Sequence, residues 1–426
     1  MCYNVLMKTI KKIYSKEYFI LIGIGFLPLM WKILEIAFLS SYSNALKILG
    51  QIALISIIFK VFEESILNPL FKVLSKQKNK EENNDINADG FLLYYSLATI
   101  FFTIFLIIFS KDILQISQVP EYIFSETLDF IKIYIIACGF GVISKFLYTY
   151  SLINKESKKM LVYFLIKSVL TTILFICLVP KFSFGLGVKG IAITELIINI
   201  LTIIFLSIGF FKTKKQSTSI NIKEYFKLFV FSLIETLIRN VVYYFVILVF
   251  LNMLDNQDLY FISNEFIWSI MIVPTLAQSS LIKQDISNNK QASLKPYFYN
   301  SIILISFMII LIPIALILFK YIYNLPNYLD YFMVLLKLFP CYIVFVIDSI
   351  IEAYFISAGK LHHILIQSIL TNILVYLTAL ILYLCGVWTL SLNAIIILFN
   401  LGVIISSLYT ISVYLVERKK QHTHSS

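Results

Sequence analysis

Residues 119–138, VPEYIFSETLDFIKIYIIAC, are echoed at 325–344 by LPNYLDYFMVLLKLFPCYIV. Pro120 stands against Pro326, and each segment leads about 30 residues later into a short basic loop, YSLINKESKK and then YFISAGKLHH. Tyr150 matches Tyr354 and Pro69 matches Pro274, all at an offset of about 205 residues. One half of the chain therefore repeats the other, and whatever the first half folds into is built twice.

Composition says what the repeated unit is made of. The 426 residues are 59% hydrophobic and 14% charged, with a mean hydropathy of +0.87. Soluble domains do not have this make-up. Apolar stretches of about 20 residues recur, each long enough to cross a hydrocarbon core of about 30 Å as a helix. About twelve can be placed, near 18–40, 48–71, 91–110, 127–150, 161–180, 187–211, 226–251, 259–282, 298–319, 331–356, 364–384 and 390–416. Helices are required because lipid offers no partner to a free backbone group, and these segments are twice the length of a barrel strand. The expected fold is an all-α membrane protein of two six-helix lobes, 1–211 and 226–426, joined by a connector at 212–225. An even number of spans per lobe keeps their orientation, so the lobes are parallel repeats about an axis along the membrane normal.

Lysines orient the bundle. Lys8, Lys11, Lys12 and Lys16 precede the first span, and Lys72, Lys76, Lys78, Lys80, Lys155, Lys214, Lys215, Lys283, Lys290, Lys360 and Arg418 fall on the same side. The opposite loops hold only Lys47, Lys111, Lys181, Lys189 and Lys320. The positive-inside rule predicts both termini in the cytoplasm of a multi-pass cell-membrane protein. With no small-residue cleavage site after it, the first span reads as an uncleaved helix. The net charge of +11 follows from this asymmetry, and no loop is large enough for a nucleic-acid domain, so no nucleic-acid partner is expected. Cys2, Cys138, Cys177, Cys341 and Cys385 lack CxxC spacing, and His362, His363, His422 and His424 form no ligand motif. Phosphate-binding glycine loops and nucleophile elbows are also missing, which speaks against an enzyme or an ATP-driven pump.

Residues 178–197, LVPKFSFGLGVKGIAITELI, resemble the loop and sixth helix of multidrug and toxin extrusion (MATE) transporters, in which a GLGVxGxAIxT pattern is typical. The resemblance extends over nearly the whole chain: twelve spans in two lobes, a basic loop after the fourth span, and acids in the first, seventh and tenth. It implies a cation-coupled exporter of amphipathic, often cationic compounds. Glu235, Asp348 and Glu35 resemble the family's acids in spans seven, ten and one, with Glu35 in place of the usual Asp. Where relatives place Asn and Asp in span five, this chain has Thr171 and Thr172. Arg239 beside Glu235 is a second departure, since a fixed positive charge weakens cation binding there. Gly185, Gly187 and Gly190 are read as supplying a tight turn and close helix packing.

A charge at membrane depth costs at least about 2.5 kcal/mol, so each is paired, protonated or useful. Lys32 and Glu35, Lys60 and Glu64, and Glu235 and Arg239 stand three or four residues apart and can neutralise each other on one helix face. Asp348 and Glu352 share a face with no base near in sequence, so the pair invites a proton or a metal cation. The candidate coupling and substrate residues are Asp348, Glu352, Glu235, Arg239, Glu35, Asn372, Glu265, Glu63 and Glu64. Of these, Asp348, Glu352 and Glu235 are the expected Na⁺ ligands. Pro69, Pro274 and Pro340 are expected to interrupt spans, and Tyr243, Tyr244, Trp268, Tyr342 and Tyr354 to line a pocket. No cofactor is expected beyond Na⁺ or H⁺ as coupling ion. The expected partners are a small amphipathic substrate and membrane lipids, and the expected state is a monomer. A flippase for a lipid-linked oligosaccharide precursor is the alternative, and it calls for a cavity lined by bases.

Overall fold

The computed structural model describes residues 16–73, 85–153, 157–212, 219–288 and 293–423. Lys8, Lys11, Lys12, Lys76, Lys78, Lys80, Lys155, Lys214, Lys215, Lys290, Cys2 and His424 lie outside the described residues. The first half holds α1 (Lys16–Leu39), α2 (Ala45–Val73), α3 (Asp89–Ile108), α4 (Glu121–Ser151), α5 (Met160–Leu178) and α6 (Val188–Ile208). The second holds α7 (Ile222–Met253), the bent pair α8 (Gln257–Met271 and Val273–Ile286), α9 (Lys295–Ile322), α10 (Tyr328–Ala358), α11 (Leu361–Leu384) and α12 (Leu392–Lys419). Eleven are long and apolar enough to cross a membrane as they stand, and α8 makes a twelfth if its halves count as one span.

The packing repeats with the sequence. In the first half α1 packs on α5, α3 on α4, α4 on α6 and α5 on α6; in the second α7 packs on α11, α9 on α10, α10 on α12 and α11 on α12. Large side chains fill each half: Phe130, Phe146 and Phe175 in one, Phe266, Phe319, Tyr342 and Phe355 in the other, all fully buried. The outer faces are apolar too, with Phe101, Ile108, Ile302 and Ile310 exposed on α3 and α9, as a hydrocarbon surround permits. Span α10 is the most enclosed of the eleven unbroken spans, 61% buried against 22% for α3 and α5.

Glycines close the loop before α6. Gly185 and Gly187 have positive φ, +67° and +55°, and a Cβ on Gly190 would lie 3.0 Å from the Leu178 carbonyl oxygen. Tyr42 rests against Gly187 and donates its hydroxyl to the Val179 carbonyl at 2.7 Å. The turn-and-packing reading of this motif therefore holds. Two features differ from the expectation. A short antiparallel ribbon, β1 (Asp85–Asn87) with β2 (Ser219–Asn221), ties the loop after α2 to the connector. Of the three prolines, only Pro274 stands at a break, where α8 bends by 55°; Pro69 and Pro340 sit inside unbroken helices. The second half bends by another means: wide π turns at Tyr244–Leu248, Ile267–Met271, Leu318–Ile322 and Asn372–Leu377.

Candidate functional site

The halves meet where α2 packs on α7 and α1 on α8, with α2 also touching α10. Beside α2, and otherwise within the second half, lies a cavity of about 460 Å³. One wall is aromatic: Tyr243, Tyr260, Trp268, Tyr342, Phe345 and Phe399. The Trp268 indole donates to the Tyr342 hydroxyl at 2.9 Å, and that hydroxyl donates to Asn264 Oδ1, which holds two large rings in fixed planes. Tyr243 and Tyr260 share a hydroxyl contact at 3.0 Å. Of the five aromatics expected in a pocket, Tyr243, Trp268 and Tyr342 are there. Tyr244 instead bonds Ser117, and Tyr354 accepts from Lys360 at 3.2 Å.

The other wall is polar. Asp348, 3% exposed, makes no ion pair among the described residues, and its Oδ1 has no hydrogen-bond partner. Ser407 and Thr410 of α12 stand beside its carboxylate. Three neutral oxygens bordering the same cavity are buried and unpartnered as well: Gln367 Oε1, Thr371 Oγ1 and Asn372 Oδ1. Asn372 spends its amide hydrogens on the Ser368 carbonyl (2.7 Å) and hydroxyl (3.2 Å), which leaves its oxygen free. Glu352 accepts from Gln367 at 3.3 Å, and Gln367 also donates to Ser406. Buried acceptors without donors are costly, and a bound water or a cation satisfies several at once. Among the described residues no three His, Cys, Asp or Glu side chains converge to hold a metal ion. Asp348, Glu352 and Glu235 thus do not close into the expected set of three acids. What the cavity offers is two acids without an ion pair among the described residues, Asp348 and Glu352, beside neutral oxygens.

Glu235 is engaged elsewhere. Arg239 Nε donates to it at 2.8 Å, and Arg239 Nη2 donates to Glu64 of the other half. Each pair expected from spacing is present: Lys32–Glu35 at 3.2 Å, Lys60–Glu64 at 3.7 Å and Arg239–Glu235. Lys32 also reaches Glu265 across the halves at 3.9 Å, and Ser269 donates to that same carboxylate at 2.7 Å. Glu63 is held by Lys145 at 2.6 Å. Glu63 and Glu64 of the first half therefore already have counter-ions. Asp348, Glu352, Glu235, Glu265, Arg239 and Asn372 all border the cavity. Glu64 borders a smaller neighbouring cavity of about 220 Å³, while Glu35, buried on α1, and Glu63 belong to neither wall. The polar series Gln367, Ser368, Thr371 and Asn372 is what the sequence reading missed apart from Asn372. Its signal is four polar side chains at helical spacing on one face of an apolar span.

The halves are tied to each other at both ends of the bundle. At the end away from the connector, Lys47 pairs with Asp255 at 2.5 Å, Tyr122 donates to Asp255 at 3.0 Å, and Gln51 donates to Asn252 at 3.0 Å. At the connector end, Tyr18 donates to the Pro274 carbonyl at 3.2 Å and Lys72 to the Ala358 carbonyl at 2.7 Å. All of these join one half to the other.

No protein-family model and no curated protein matches the sequence. Solved structures do match the fold. A mutant of the Vibrio cholerae MATE transporter VcmN superposes with a TM-score of 0.70 at 14% identity, covering 98% of each chain. An outward-facing multidrug resistance MATE family transporter of the MOP superfamily gives 0.70 at 14% identity, over 98% of this chain and 99% of that one. The chain has the MATE transporter fold. A third match, a MOP superfamily transporter from Pyrococcus furiosus, is described as having a binding pocket of reverse polarity that suggests a different function; it gives 0.67 at 14% identity, with 98% and 99% covered. Within the MATE fold of this chain, the cavity described above lies mostly in the second half: α7, α8, α10, α11 and α12 supply all of its wall except Ala53, Ser56, Ile57 and Lys60 of α2.

Proposed function

We propose that this protein is a secondary active transporter that exports small amphipathic cations in exchange for Na⁺ or H⁺. The observation that carries the reading is the second-half cavity of the MATE fold, closed on one side by α2 of the first half, where four acids (Glu235, Glu265, Asp348 and Glu352) face two bases (Lys60 and Arg239). Its aromatic wall suits a flat apolar body, and its acid excess suits a positive charge on that body. The coupling ion sits at Asp348 and Glu235, with Gln367, Thr371 and Asn372 of the same cavity supplying neutral oxygens, an arrangement that favours Na⁺ because a proton needs only one acceptor. Rocking of the lobes breaks the ties at one end of the bundle while keeping those at the other, and so presents ion and substrate to each side in turn. A flippase for an anionic lipid precursor calls for a wall of bases, and the acid excess speaks against it. In this reading the protein works as a monomer in the cell membrane with both termini in the cytoplasm, and its partners are its substrate and the surrounding lipid. Uptake of a fluorescent amphipathic cation into everted vesicles, with Na⁺ and pH gradients imposed separately, tests it. Accumulation driven by one gradient is expected, and none under either would overturn the proposal.

A further inference from the structure

Arg239 has two carboxylate partners on different lobes. Its Nε donates to Glu235 Oε1 at 2.8 Å within α7, and its Nη2 donates to Glu64 Oε2 on α2. Glu235 borders the same cavity as Asp348, whereas Glu64 borders only the smaller one beside it. The charged groups around the guanidinium are Glu235 on its own helix, Lys60 and Glu64 on α2, Lys283 on α8 and Glu352 on α10. A cation entering beside Glu235 and Asp348 therefore meets a resident positive charge already leaning on Glu235. The extent of that leaning depends on Glu64, a residue of the opposite lobe that the cation does not touch.

We propose that Arg239 is a shared counter-ion through which Glu64 of the first lobe tunes Na⁺ binding at Glu235 and Asp348 of the second. Glu64 draws the guanidinium charge off Glu235 and frees that carboxylate for the incoming ion. By linkage, an ion that neutralises Glu235 leaves Arg239 with Glu64 as its carboxylate partner and strengthens the tie between lobes. Arg239 is thus a positioning residue, and ion binding in one lobe becomes a pull on the other. This rests on the transport reading above, in which the second lobe binds the coupling cation.

The arrangement has a signature that a merely structural salt bridge lacks. Glu64→Gln and Arg239→Gln break the same bond, yet they move Na⁺ affinity in opposite directions. Glu64→Gln returns Arg239 wholly to Glu235 and weakens Na⁺ binding about tenfold, while Arg239→Gln removes the competing charge and tightens it by a similar factor, within the 5–150-fold range of site couplings. In the double variant Glu64 has lost the group it acts through, so affinity follows Arg239→Gln. The test is calorimetric titration of NaCl into the full-length protein in detergent, at constant pH and at ionic strength held with choline chloride, with thermal unfolding of each variant alongside. Opposite shifts support the proposal. Shifts of the same sign, or unchanged affinity in both single variants, overturn it while leaving the transport reading in place. If Arg239→Gln cannot be recovered folded, Glu64→Gln and the shorter Glu64→Asp decide: affinity must fall in both, and less in the second. A parent protein that binds no Na⁺ overturns this proposal; whether gradient-driven uptake survives in vesicles then decides the transport reading separately.

Discussion

Replacing Asp348 by Asn removes one charge and almost no volume from a largely buried span. The carboxylate is 3% exposed, one of its oxygens is unpartnered, and it has no ion pair among the described residues. A monovalent cation about 4 Å away, at an effective dielectric near 20, is attracted by about 4 kcal/mol. At 1.4 kcal/mol per factor of ten, its loss corresponds to a fall of about a thousandfold in cation affinity. Stability should move the other way, because an uncompensated buried charge costs several kcal/mol and the neutral amide relieves it. The expected outcome is therefore a folded variant that melts at or above the parent temperature, binds substrate, and has lost gradient-driven uptake. Calorimetric Na⁺ titration, thermal unfolding and everted-vesicle uptake measure the three quantities. An unchanged half-saturating Na⁺ concentration would refute the reasoning, and so would a markedly lower melting temperature, which would mark Asp348 as a structural residue.

Glu352→Gln should weaken cation binding in the same direction but by about tenfold only, since this carboxylate is half-buried and shares Gln367 as donor with Ser406; the same Na⁺ titration checks it. Gly25→Leu should hold the lobes apart, because a Cβ there would lie 2.6 Å from Val273 Cγ1 across the α1–α8 contact; transport should fall while Na⁺ affinity is kept, as read by vesicle uptake and calorimetry. Lys47→Ala should cost no more than about 1 kcal/mol of stability, its pair being 30% and 48% exposed. It should nevertheless raise thiol-reagent labelling of an Asn252→Cys reporter at that end of the bundle. Gly185→Ala should destabilise by about 1 kcal/mol, the cost of a side chain at φ +67°, measured by thermal unfolding.

Much of the architecture was legible because lipid leaves the backbone few choices. A run of about 20 apolar residues must be a helix, and a repeat at about 205 residues must build two similar halves, so span number, span limits and pseudo-symmetry follow from local sequence. Pairs set by helical spacing, such as Lys32 with Glu35 and Glu235 with Arg239, were legible for the same reason. Across-lobe partners were not. Nothing in the chain around Glu64 announces Arg239, 175 residues away, or around Lys47 announces Asp255, because such pairs depend on how two rigid bundles dock. The prolines misled in the same way: a local rule marks three possible breaks, and packing against the neighbouring lobe selects only Pro274, whose carbonyl accepts the Tyr18 hydroxyl. Sequence alone determined that the chain is a two-lobed helical membrane protein with acids at depth, since hydrophobicity and periodicity act over one or two turns. Tertiary structure alone decided which of those acids is left without a counter-ion, because that depends on the side chains that lobe docking brings within hydrogen-bond distance. By that criterion Asp348 and Glu352 are without an ion pair among the described residues, whereas Glu235, Glu64 and Glu63 are already answered.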